Sequence, residues 1–543
     1  MQGKGAAHMD FMTQLNEFAA NLDGIVWSMP LVILCLGVGL YLSIRMGLPQ
    51  IRLFGDMIRL LTGKENFEKR TDEIDAQQPE ENGKRTGVLA GAFTEAVSGE
   101  LGEGATGSLG SQKDEHKKGK GISAFQSFAT TVGARVGMGN IAGIASAIFF
   151  GGPGAVFWMW IIAIIGAASA FAESALAQAY KVKDAAGAFT GGPAYYIEKG
   201  LKCKPYAVIF AVLAVLGPGI LLPGVQINSL TLVFEEAFGV DKIIVGAVCC
   251  VILAFIVMGS IKRIAKVAEF LTPIMCVAYI ALAVIILCIH VTEIPATLAL
   301  IVSSALGIHP IFGAIIGSAV SWGVKRGIYS NEAGMGCGAI VSAAAECSHP
   351  AKQGLIQACS IYVDTLLVGT ATALIVLLTG VYDVVSADGV TLLLSQTGGI
   401  EEGVKWTQHA LCTTYGDWCG KLLAVIIVLF VFTSLTGYCY QAESNINYLT
   451  KGNKNAITAI RIIFVIASFL GACISADAMW SFGDVGYGLL GWANIIAIAL
   501  MSPMAAKLLK DYQEQRKAGK DPMFNPEKFG IKDETGAWDE YKS

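Results

Sequence analysis

A glycine-rich run interrupts an otherwise apolar stretch in the first third of the chain. Residues 133–143 read Gly-Ala-Arg-Val-Gly-Met-Gly-Asn-Ile-Ala-Gly, in what should be the middle of a membrane helix. Where such a helix unwinds, its freed N–H and C=O groups need partners, so the site must be buried in protein or line a polar cavity. The positive end of the following half-helix suits a carboxylate, and freed carbonyls suit Na⁺ or an ammonium group. Gly137, Gly139 and Asn140 are therefore predicted to contact the carboxylate of a substrate.

A second interrupted run lies five apolar stretches later. Residues 305–313 read Ala-Leu-Gly-Ile-His-Pro-Ile-Phe-Gly, and Pro310 both removes a backbone donor and clashes with the preceding turn. Interruptions at matching positions of two halves are typical of transporters built from inverted repeats, which bind substrate between the interruptions. Close helix packing explains the glycines of either run taken alone. The matched pair favours a binding site, and Gly313 is predicted to line it.

Polar side chains on two further apolar stretches could complete this site. Gln226 offers donors and acceptors to a carboxylate, or alternatively an interhelical hydrogen bond. Thr433 and Ser434 supply hard oxygen ligands for Na⁺, although such hydroxyls also bond back to a carbonyl one turn earlier. Tyr438 follows Ser434 by one helical turn, so it shares a face with it and is predicted to form a wall for the substrate side chain.

Acidic residues inside membrane spans are functional candidates because they are costly to bury. Four fall within or near the apolar stretches and are candidates for coupling or gating: Glu173, Asp364, Glu443 and Asp484. Glu332 follows Lys325 and Arg326, and we expect these three residues in a salt-bridged loop at the inner gate.

The composition indicates a polytopic membrane protein. Of 543 residues, 54% are hydrophobic and only 15% are charged, which is unlike a soluble chain of this length. The 39 basic and 43 acidic side chains nearly balance, so no nucleic-acid partner is expected. The thirteen cysteines form no CxxC pair and the six histidines are dispersed, so neither a cofactor nor an enzyme active site is predicted.

Eleven stretches reach the length of about 20 apolar residues that a membrane helix needs. The fold class predicted is an all-α polytopic membrane protein with two inverted repeats of five helices and one extra N-terminal helix. The predicted layout is an N-terminal tail at 1–24, the extra helix at 25–46, a polar connection at 47–121, the first repeat at 122–293, the second repeat at 294–506 and a C-terminal tail at 507–543.

Lys and Arg in the short connections set the predicted orientation. They concentrate between 181 and 204 and between 262 and 266, so these loops, the polar connection and the C-terminal tail are expected to be cytoplasmic. Eleven spans then place the N-terminus outside a plasma membrane. Cys412 and Cys419 fall in an outer loop, where they form either a disulfide or two free thiols.

Several motifs resemble those of the alanine or glycine:cation symporter family, within the amino acid-polyamine-organocation superfamily. They are Gly-Ile-Ser-Ala-Phe-Gln at 121–126, Gly-Met-Gly-Asn-Ile-Ala-Gly at 137–143, Gly-Gly-Pro-Ala-Tyr-Tyr-Ile at 191–197, Val-Gln-Ile-Asn-Ser at 225–229 and Arg-Gly-Ile-Tyr-Ser-Asn-Glu-Ala-Gly-Met-Gly at 326–336. The Gly-Asn-Ile-Ala-Gly and Ser-Asn-Glu-Ala-Gly-Met-Gly stretches are specific, and the resemblance spans about 25–506.

The resemblance implies a leucine-transporter fold and the import of a small neutral amino acid together with Na⁺. It places the substrate carboxylate at the first interruption and Gln226. It places the cation at Val136 in that interruption, near Thr433 and Ser434, with Ser434 and Tyr438 also facing the substrate.

Two departures and one alternative accompany this resemblance. Tyr438 stands where the family usually has tryptophan, and His309 with Pro310 stands where a glycine pair is usual, so the substrate can differ from alanine. A proton-coupled or exchange transporter of the same fold is the alternative. Superfamily members without Na⁺ often carry a lysine on the fifth core helix; here Lys262 and Lys266 are expected to precede that helix, which favours Na⁺.

Overall fold

The structure is a computed structural model that describes residues 2–62, 121–184, 187–258 and 261–539. Most of the predicted polar connection, from residue 63 to residue 120, lies outside the described residues. The described part is predominantly helical.

The chain begins with two helices that bend by 41° at their junction. The predicted N-terminal tail is helical along most of its length, and two short helices follow the extra membrane helix. The bounds are α1 Gln2–Val26, α2 Met29–Arg45, α3 Pro49–Arg52 and α4 Phe54–Leu61.

The first core group starts with an interrupted pair of helices, α5 and α6. A short antiparallel hairpin, β1 Val182–Lys183 with β2 Phe189–Thr190, separates α7 from α8, and a π-helical turn at Gly217–Leu221 joins α9 to α10. The helices are α5 Ala124–Arg135, α6 Met138–Gly151, α7 Gly154–Ala179, α8 Pro193–Gly200, α9 Lys204–Leu216, α10 Leu222–Phe238, α11 Lys242–Val257 and α12 Ile261–Ile289.

The second core group contains another interrupted pair, α14 and α15. A π-helical segment at Tyr362–Gly369 joins α16 to α17, and a hairpin of β3 Val384–Val385 with β4 Leu392–Leu394 follows. The helices are α13 Ile294–Ala305, α14 Ile316–Asn331, α15 Cys337–Ala343, α16 Pro350–Ile361, α17 Thr370–Thr379, α18 Val404–Tyr415, α19 Trp418–Thr450, α20 Lys454–Leu470, α21 Ala476–Leu500 and α22 Ser502–Lys517.

Seven helical units in the described ranges are long and apolar enough to cross a membrane, or eight if the bent α1–α2 pair is one span. Two shorter apolar helices, α11 and α13, fall below that length. The protein is therefore a multi-pass membrane protein.

Local signals in the sequence explain where α5 begins. The hydroxyl oxygen of Ser123 accepts the N–H of Gln126 at 3.1 Å, and the Gln126 amide oxygen accepts the N–H of Ser123 at 3.0 Å. This reciprocal capping box satisfies two donors that a helix start leaves free. The first interrupted helix therefore starts at a fixed residue.

The sixth core helix differs from its prediction. The sequence predicts one apolar span over 294–323. The structure has two helices there, because α13 ends at Ala305 and Gly307 takes a left-handed φ of 72° ahead of Pro310. The interruption between paired helices lies further along, at Glu332–Gly336 between α14 and α15. The break predicted at His309 and Pro310 is instead a turn between helices.

Ion pairs explain why α14 continues past two basic residues. Lys325 Nζ lies 2.6 Å from an Asp23 oxygen and 2.8 Å from an Asp484 oxygen. Arg326 donates to both carboxylate oxygens of Asp484 at 2.9 and 3.0 Å. Paired in this way, both cations can be buried within the helix.

Lys325 and Arg326 do not lie on the side of the basic loop, where the inner gate was predicted. A Cβ atom on Gly327 would lie 2.5 Å from Ile162, in the first third of α7, whereas the basic loop predicted to be cytoplasmic follows the end of α7. Lys325 and Arg326 therefore lie towards the opposite side from that loop. Glu332 is not paired with them but faces Arg135, at 3.9 Å.

The two lysines expected before the fifth core helix lie inside it. Lys262 and Lys266 belong to the first two turns of α12, which begins at Ile261. Further along, α12 presents Thr272 to the first interrupted helix, where its hydroxyl donates to the Ala129 carbonyl at 3.0 Å.

Candidate functional site

The first interruption lies at Val136 and Gly137, between α5 and α6. The Val136 N–H still donates to the Val132 carbonyl at 2.7 Å, so the helix is regular up to this point. The Gly137 N–H donates to the Asn140 side-chain oxygen at 3.3 Å, and the Met138 N–H donates to a side chain from α10. The unwound backbone donors thus turn to side chains rather than to the preceding turn.

Gln226 on α10 is the partner of Met138. Its side-chain oxygen accepts the Met138 N–H at 3.3 Å, and its amide nitrogen donates to the Tyr438 hydroxyl at 3.3 Å. Gln226 is fully buried. It therefore connects the start of α6 to α19.

Glycine is required at position 137 because two side chains approach it. A Cβ atom there would lie 2.5 Å from the Ser434 hydroxyl oxygen and 3.2 Å from the Gln226 side-chain oxygen. The first distance is shorter than real Cβ contacts allow. Ser434 and Gln226 can reach the break only because the residue between them has no side chain.

The carbonyl of Gly133 is one acceptor affected by this unwinding. In a continuous helix it would accept the Gly137 N–H. Here it accepts the Ser434 hydroxyl from α19 at 3.2 Å instead. The Thr433 hydroxyl lies within reach of two carbonyls of its own helix, at 2.9 Å from Leu429 and 3.0 Å from Phe430. Ser434 thus reaches the break directly, whereas Thr433 bonds back along α19.

A chain of buried polar groups leads from the first interruption to the second. The hydroxyl oxygens of Tyr438 and Tyr487 lie 3.0 Å apart, and Tyr487 donates to a Glu332 carboxylate oxygen at 2.5 Å. The other Glu332 oxygen lies 3.9 Å from Arg135, the last residue of α5. Together with Gln226, these groups join the two breaks.

The second interruption begins at Glu332. This residue has a left-handed φ of 55°, which is uncommon outside glycine and which side chains adopt only when the surrounding structure holds them. Gly334 and Gly336 follow with φ values of 82° and 85°. The Gly336 N–H and the Asn494 amide both donate to a Glu173 oxygen at 2.9 Å.

Asn140 joins the first interruption to a further buried acid. Its amide nitrogen donates to the backbone carbonyl of Asp364 at 2.9 Å, in the π-helical segment between α16 and α17. The Asp364 carboxylate accepts the hydroxyls of Ser330 and Thr365, each at 2.8 Å. α6, the end of α14 and the π-helical segment therefore meet at one buried point.

A separate cavity of about 410 Å³ lies on the side of the Arg326–Asp484 ion pair. Asp484 and Trp480 of α21 line it together with Arg326, and Asp23 contributes from α1. The Arg326 guanidinium lies 5.0 Å from the Trp480 ring and 5.6 Å from the Tyr329 ring. Tyr329 in turn packs edge-on against Tyr487, at 4.9 Å between ring centroids. Aromatic rings therefore separate the cavity from the buried polar chain.

The structure brings together most of the residues predicted for the site. Around the first interruption it gathers Val136, Gly137, Asn140, Gln226, Thr433, Ser434 and Tyr438. Gly139 faces α14 instead, where its Cβ would lie 3.2 Å from Tyr329 and from Ser330. Gly313 lies apart in a 3₁₀ turn beside Gly307.

Tyr487, Asp364 and Glu332 are among the residues of this centre that were not predicted as members of it. Tyr487 carried no signal beyond a polar ring within a glycine-rich helix. Asp364 was singled out as an intramembrane acid but was not connected to Asn140. Glu332 was assigned to a gate, although the glycines that follow it at Gly334 and Gly336 are themselves the pattern of a broken helix. Cys412 and Cys419, for which a disulfide was an open alternative, are free thiols.

Two interrupted helices that meet at a buried polar centre, in a multi-pass helical protein, define a membrane transporter. Residues 12–79 and 87–526 match the model of the sodium:alanine symporter family. The chain belongs to this family, so the resemblance seen in the sequence motifs is confirmed, and the protein is a transporter rather than an enzyme.

Three relatives match three quarters of the chain or more. A putative sodium/proton-dependent alanine carrier of Bacillus subtilis is 42% identical over 95% of this chain and 96% of its own length. A sodium/proton-dependent alanine carrier of Bacillus sp. PS3 is 42% identical over 76% of this chain and 93% of its own. A sodium/alanine symporter of Methanococcus maripaludis is 32% identical over 94% and 99%.

Proposed function

We propose that this protein imports a small neutral amino acid, of the alanine or glycine type, together with Na⁺. The observation that carries the proposal is the first interruption, where unwound backbone groups of α5 and α6 face Gln226 and Ser434. Membership in the sodium:alanine symporter family and the names of the relatives support the same substrate and ion.

The substrate carboxylate is proposed to bind at the start of α6. Met138 and Gly137 direct their N–H groups there, and the positive end of the half-helix adds a favourable field. A carboxylate would replace the Gln226 oxygen at Met138, and the Gln226 amide nitrogen would then be available to donate to it. Gly139 and Asn140 form the rest of the first turn.

The Na⁺ ion is proposed to bind between α5 and α19. The Gly133 carbonyl oxygen and the Ser434 hydroxyl oxygen already lie 3.2 Å apart. If the Ser434 hydroxyl hydrogen rotated away, each oxygen could direct a lone pair to a cation. The Val136 carbonyl at the interruption and the Thr433 hydroxyl are the further proposed ligands. α12 presents the uncharged Thr272 beside Gly133.

The substrate side chain is proposed to face aromatic rings. Tyr438 and Tyr487 are both buried and their ring centroids lie 6.4 Å apart. These two large rings, joined by a hydrogen bond between their hydroxyls, are proposed to exclude large side chains, in keeping with an alanine or glycine type of substrate. Gly313, which lies apart, is left out of this proposal.

The architecture is proposed to be two inverted five-helix repeats in a plasma membrane, eleven spans in all, with the N-terminus outside. α5–α6 and α14–α15 would be the equivalent interrupted helices, so the second repeat would begin at α14. In this orientation the Arg326–Asp484 ion pair closes the outer side, and the basic loop after α7 lies in the cytoplasm.

A transporter coupled to protons, or an exchanger, is the alternative within the same fold. The observation that favours a proton is the presence of buried carboxylates at both interruptions, together with the relatives named as sodium/proton-dependent carriers.

Uptake of labelled alanine into proteoliposomes tests the proposal. An inward Na⁺ gradient should drive accumulation above the equilibrium level, whereas choline should support only equilibration. Accumulation driven equally by choline and Na⁺ would reject Na⁺ coupling. Gly317→Ala serves as a matched control, because this exposed glycine lies in the first turn of α14 and a Cβ atom there would meet nothing within 4 Å.

A further inference from the structure

Asp364 is a fully buried carboxylate that no cation neutralises directly. Its Oδ2 atom accepts two hydroxyls, from Ser330 and Thr365, and its Oδ1 atom has no hydrogen-bond partner among the described residues. Among the described residues, no basic group lies within 4.0 Å of the Asp364 carboxylate. A buried charge in this state is costly, so such a group binds a cation or becomes neutral.

The count of buried charges around the two interruptions points the same way. Three carboxylates are fully buried there, on Glu173, Glu332 and Asp364. One buried guanidinium, that of Arg135, lies among them, 3.9 Å from Glu332 and within hydrogen-bond distance of Ser360. The described residues at this centre therefore carry fewer positive than negative groups.

The donors around each acid distinguish Asp364 from the other two. Glu173 accepts N–H groups, which can donate but never accept. Glu332 has the guanidinium of Arg135 beside it. Asp364 is held by two hydroxyls, which can rotate from donors to acceptors, so its surroundings can satisfy both the charged and the protonated form.

Asp364 is also linked directly to the proposed substrate site. Asn140 donates to its backbone carbonyl at 2.9 Å and accepts the Gly137 N–H at 3.3 Å. The π-helical segment that carries Asp364 is a type of distortion that frequently occurs at functional sites. A change in charge at Asp364 can therefore reach the break at Gly137 through a single residue, Asn140.

We propose that Asp364 binds a proton that is transported together with the amino acid and Na⁺. The proton would bind to the unpartnered Oδ1 atom from the outer side and leave to the inner side. This inference rests on the proposed function, and it adds a second ion to it. The other titratable or charged groups that act on Asp364 are Arg135 of α5, Glu332 after α14 and Cys276 of α12.

Proteoliposomes that contain a pH-sensitive dye test the proposal. Alanine added outside with Na⁺, at equal pH on both sides and with the membrane potential clamped, should acidify the lumen with the wild-type protein. Asp364→Asn mimics the protonated form, so the number of protons that enter per alanine should fall to zero, whatever the rate of uptake. The uptake rate of the variant should also become independent of outside pH, whereas the wild-type rate should fall as the pH rises.

Four outcomes would overturn it. The first is a wild-type protein that moves no protons, and the second is an Asp364→Asn variant that acidifies the lumen as the wild type does. The third is the uptake of two ²²Na⁺ ions per alanine without proton movement. The fourth is an Asp364→Asn variant that is folded but binds no alanine at any pH. The last result would make Asp364 a substrate ligand.

Thr365→Val, which removes one hydroxyl at nearly constant volume, is the second variant if Asp364→Asn does not fold. An unshifted pH profile in Thr365→Val would contradict the proposal.

The two proposals fail separately in this design. If alanine uptake by the wild type does not depend on Na⁺ but still acidifies the lumen, the proposed function is rejected and the proton site at Asp364 is retained. If the wild type takes up alanine with Na⁺ but does not acidify the lumen, only the proposal of a proton at Asp364 is rejected.

Discussion

Gln226 occupies the position where the first interruption meets the tyrosines of α19 and α21. If its amide holds the substrate carboxylate, Gln226→Ala should weaken alanine binding by about 1–3 kcal/mol, because a buried charged partner loses its hydrogen bond. Calorimetric titration of purified protein measures this loss. Gln408→Ala is the matched control, since Gln408 is also buried but lies on α18, where it contacts the Val233 carbonyl.

The opposite pattern would support a role in helix packing. Unchanged alanine affinity in Gln226→Ala, together with a lower melting temperature, would mean that this side chain only joins α6, α10 and α19.

The two hydroxyls on α19 should differ in their effect on Na⁺. Ser434 reaches the Gly133 carbonyl, so Ser434→Ala should raise the Na⁺ concentration for half-maximal uptake about tenfold, equivalent to the ~1.4 kcal/mol of one good contact. Thr433→Val should have a smaller effect because its hydroxyl already bonds within α19. The double variant should need the most Na⁺.

Tyr438→Ala is the control for this series. It alters the proposed wall for the substrate, so it should change which amino acids are accepted more than it changes the Na⁺ requirement. A wild-type Na⁺ dependence in the double Thr433 and Ser434 variant would place the cation elsewhere.

At the scale of residues, the sequence indicated the side chains near the first interruption well. Glycines at 137 and 139, followed by Asn140, are a local pattern, and Gln226 is conspicuous as a polar residue in an apolar helix. Tyr487 was missed because its position depends on how α21 packs, which no local pattern carries. Hydrogen bonds between distant helices, such as Tyr487 to Glu332, required the structure.

At the scale of elements, the ion pair between α14 and α21 should contribute to stability. Asp484→Asn would leave Lys325 and Arg326 short of their shared carboxylate, and breaking a buried pair in this way costs about 3–5 kcal/mol. The melting temperature should therefore fall clearly. Glu514→Gln is the control, because its pair with Lys510 is exposed and exposed pairs contribute little. Equal melting temperatures for the two variants would contradict a stabilising role for the buried pair.

The contact between α22 and the start of α16 should depend on pH. Burial lowers the pKa of His349, whose Nδ1 accepts the Ala351 N–H at 3.1 Å, which requires a neutral ring. Burial alone would raise the pKa of Asp511, but hydrogen bonds from His349, Lys528 and Gln515 hold it at about 2. Asp511 thus stays charged over the range in which His349 titrates, and Lys352 also faces the ring.

The sign follows from the lowered pKa of His349. The unfolded chain takes up a proton near pH 6.5 and the folded contact resists it, so the stabilisation is present above about pH 6.5 and weakens as the pH falls below it. Protease cleavage within residues 518–539 should therefore speed up between pH 7 and pH 5. His349→Gln should reduce that dependence. A rate that does not change with pH in the wild type, after correction for the protease itself, would contradict this prediction.

Distant partners explain why one predicted span boundary was wrong. The apolar stretch predicted as a span ends at Gly323, yet α14 continues past Lys325 and Arg326, because Asp484, 158 residues beyond Arg326, pairs with both. Pro310 then appeared to be the break of that helix. By contrast, the interruption at Gly137 needed no distant partner to be recognised.

At the scale of the whole molecule, composition indicated a polytopic membrane protein and the interrupted runs indicated a transporter, and the family match confirms that class. The predicted count of eleven spans depends on short helices such as Lys242–Val257, whose length does not decide whether they cross a membrane. The inverted repeat and the orientation stay proposals that labelling of Cys288 and Cys473 from either side of the membrane would test.

The central claim is that a small neutral amino acid and Na⁺ bind together at the first interruption. Ligands that bind together raise each other's affinity by the same factor, so alanine should bind more tightly as Na⁺ rises. Titration calorimetry of alanine into the purified protein, in Na⁺ and then in choline at equal ionic strength, measures this most directly. Alanine should bind much more tightly in Na⁺ than in choline. Equal alanine affinity in the two media would contradict it.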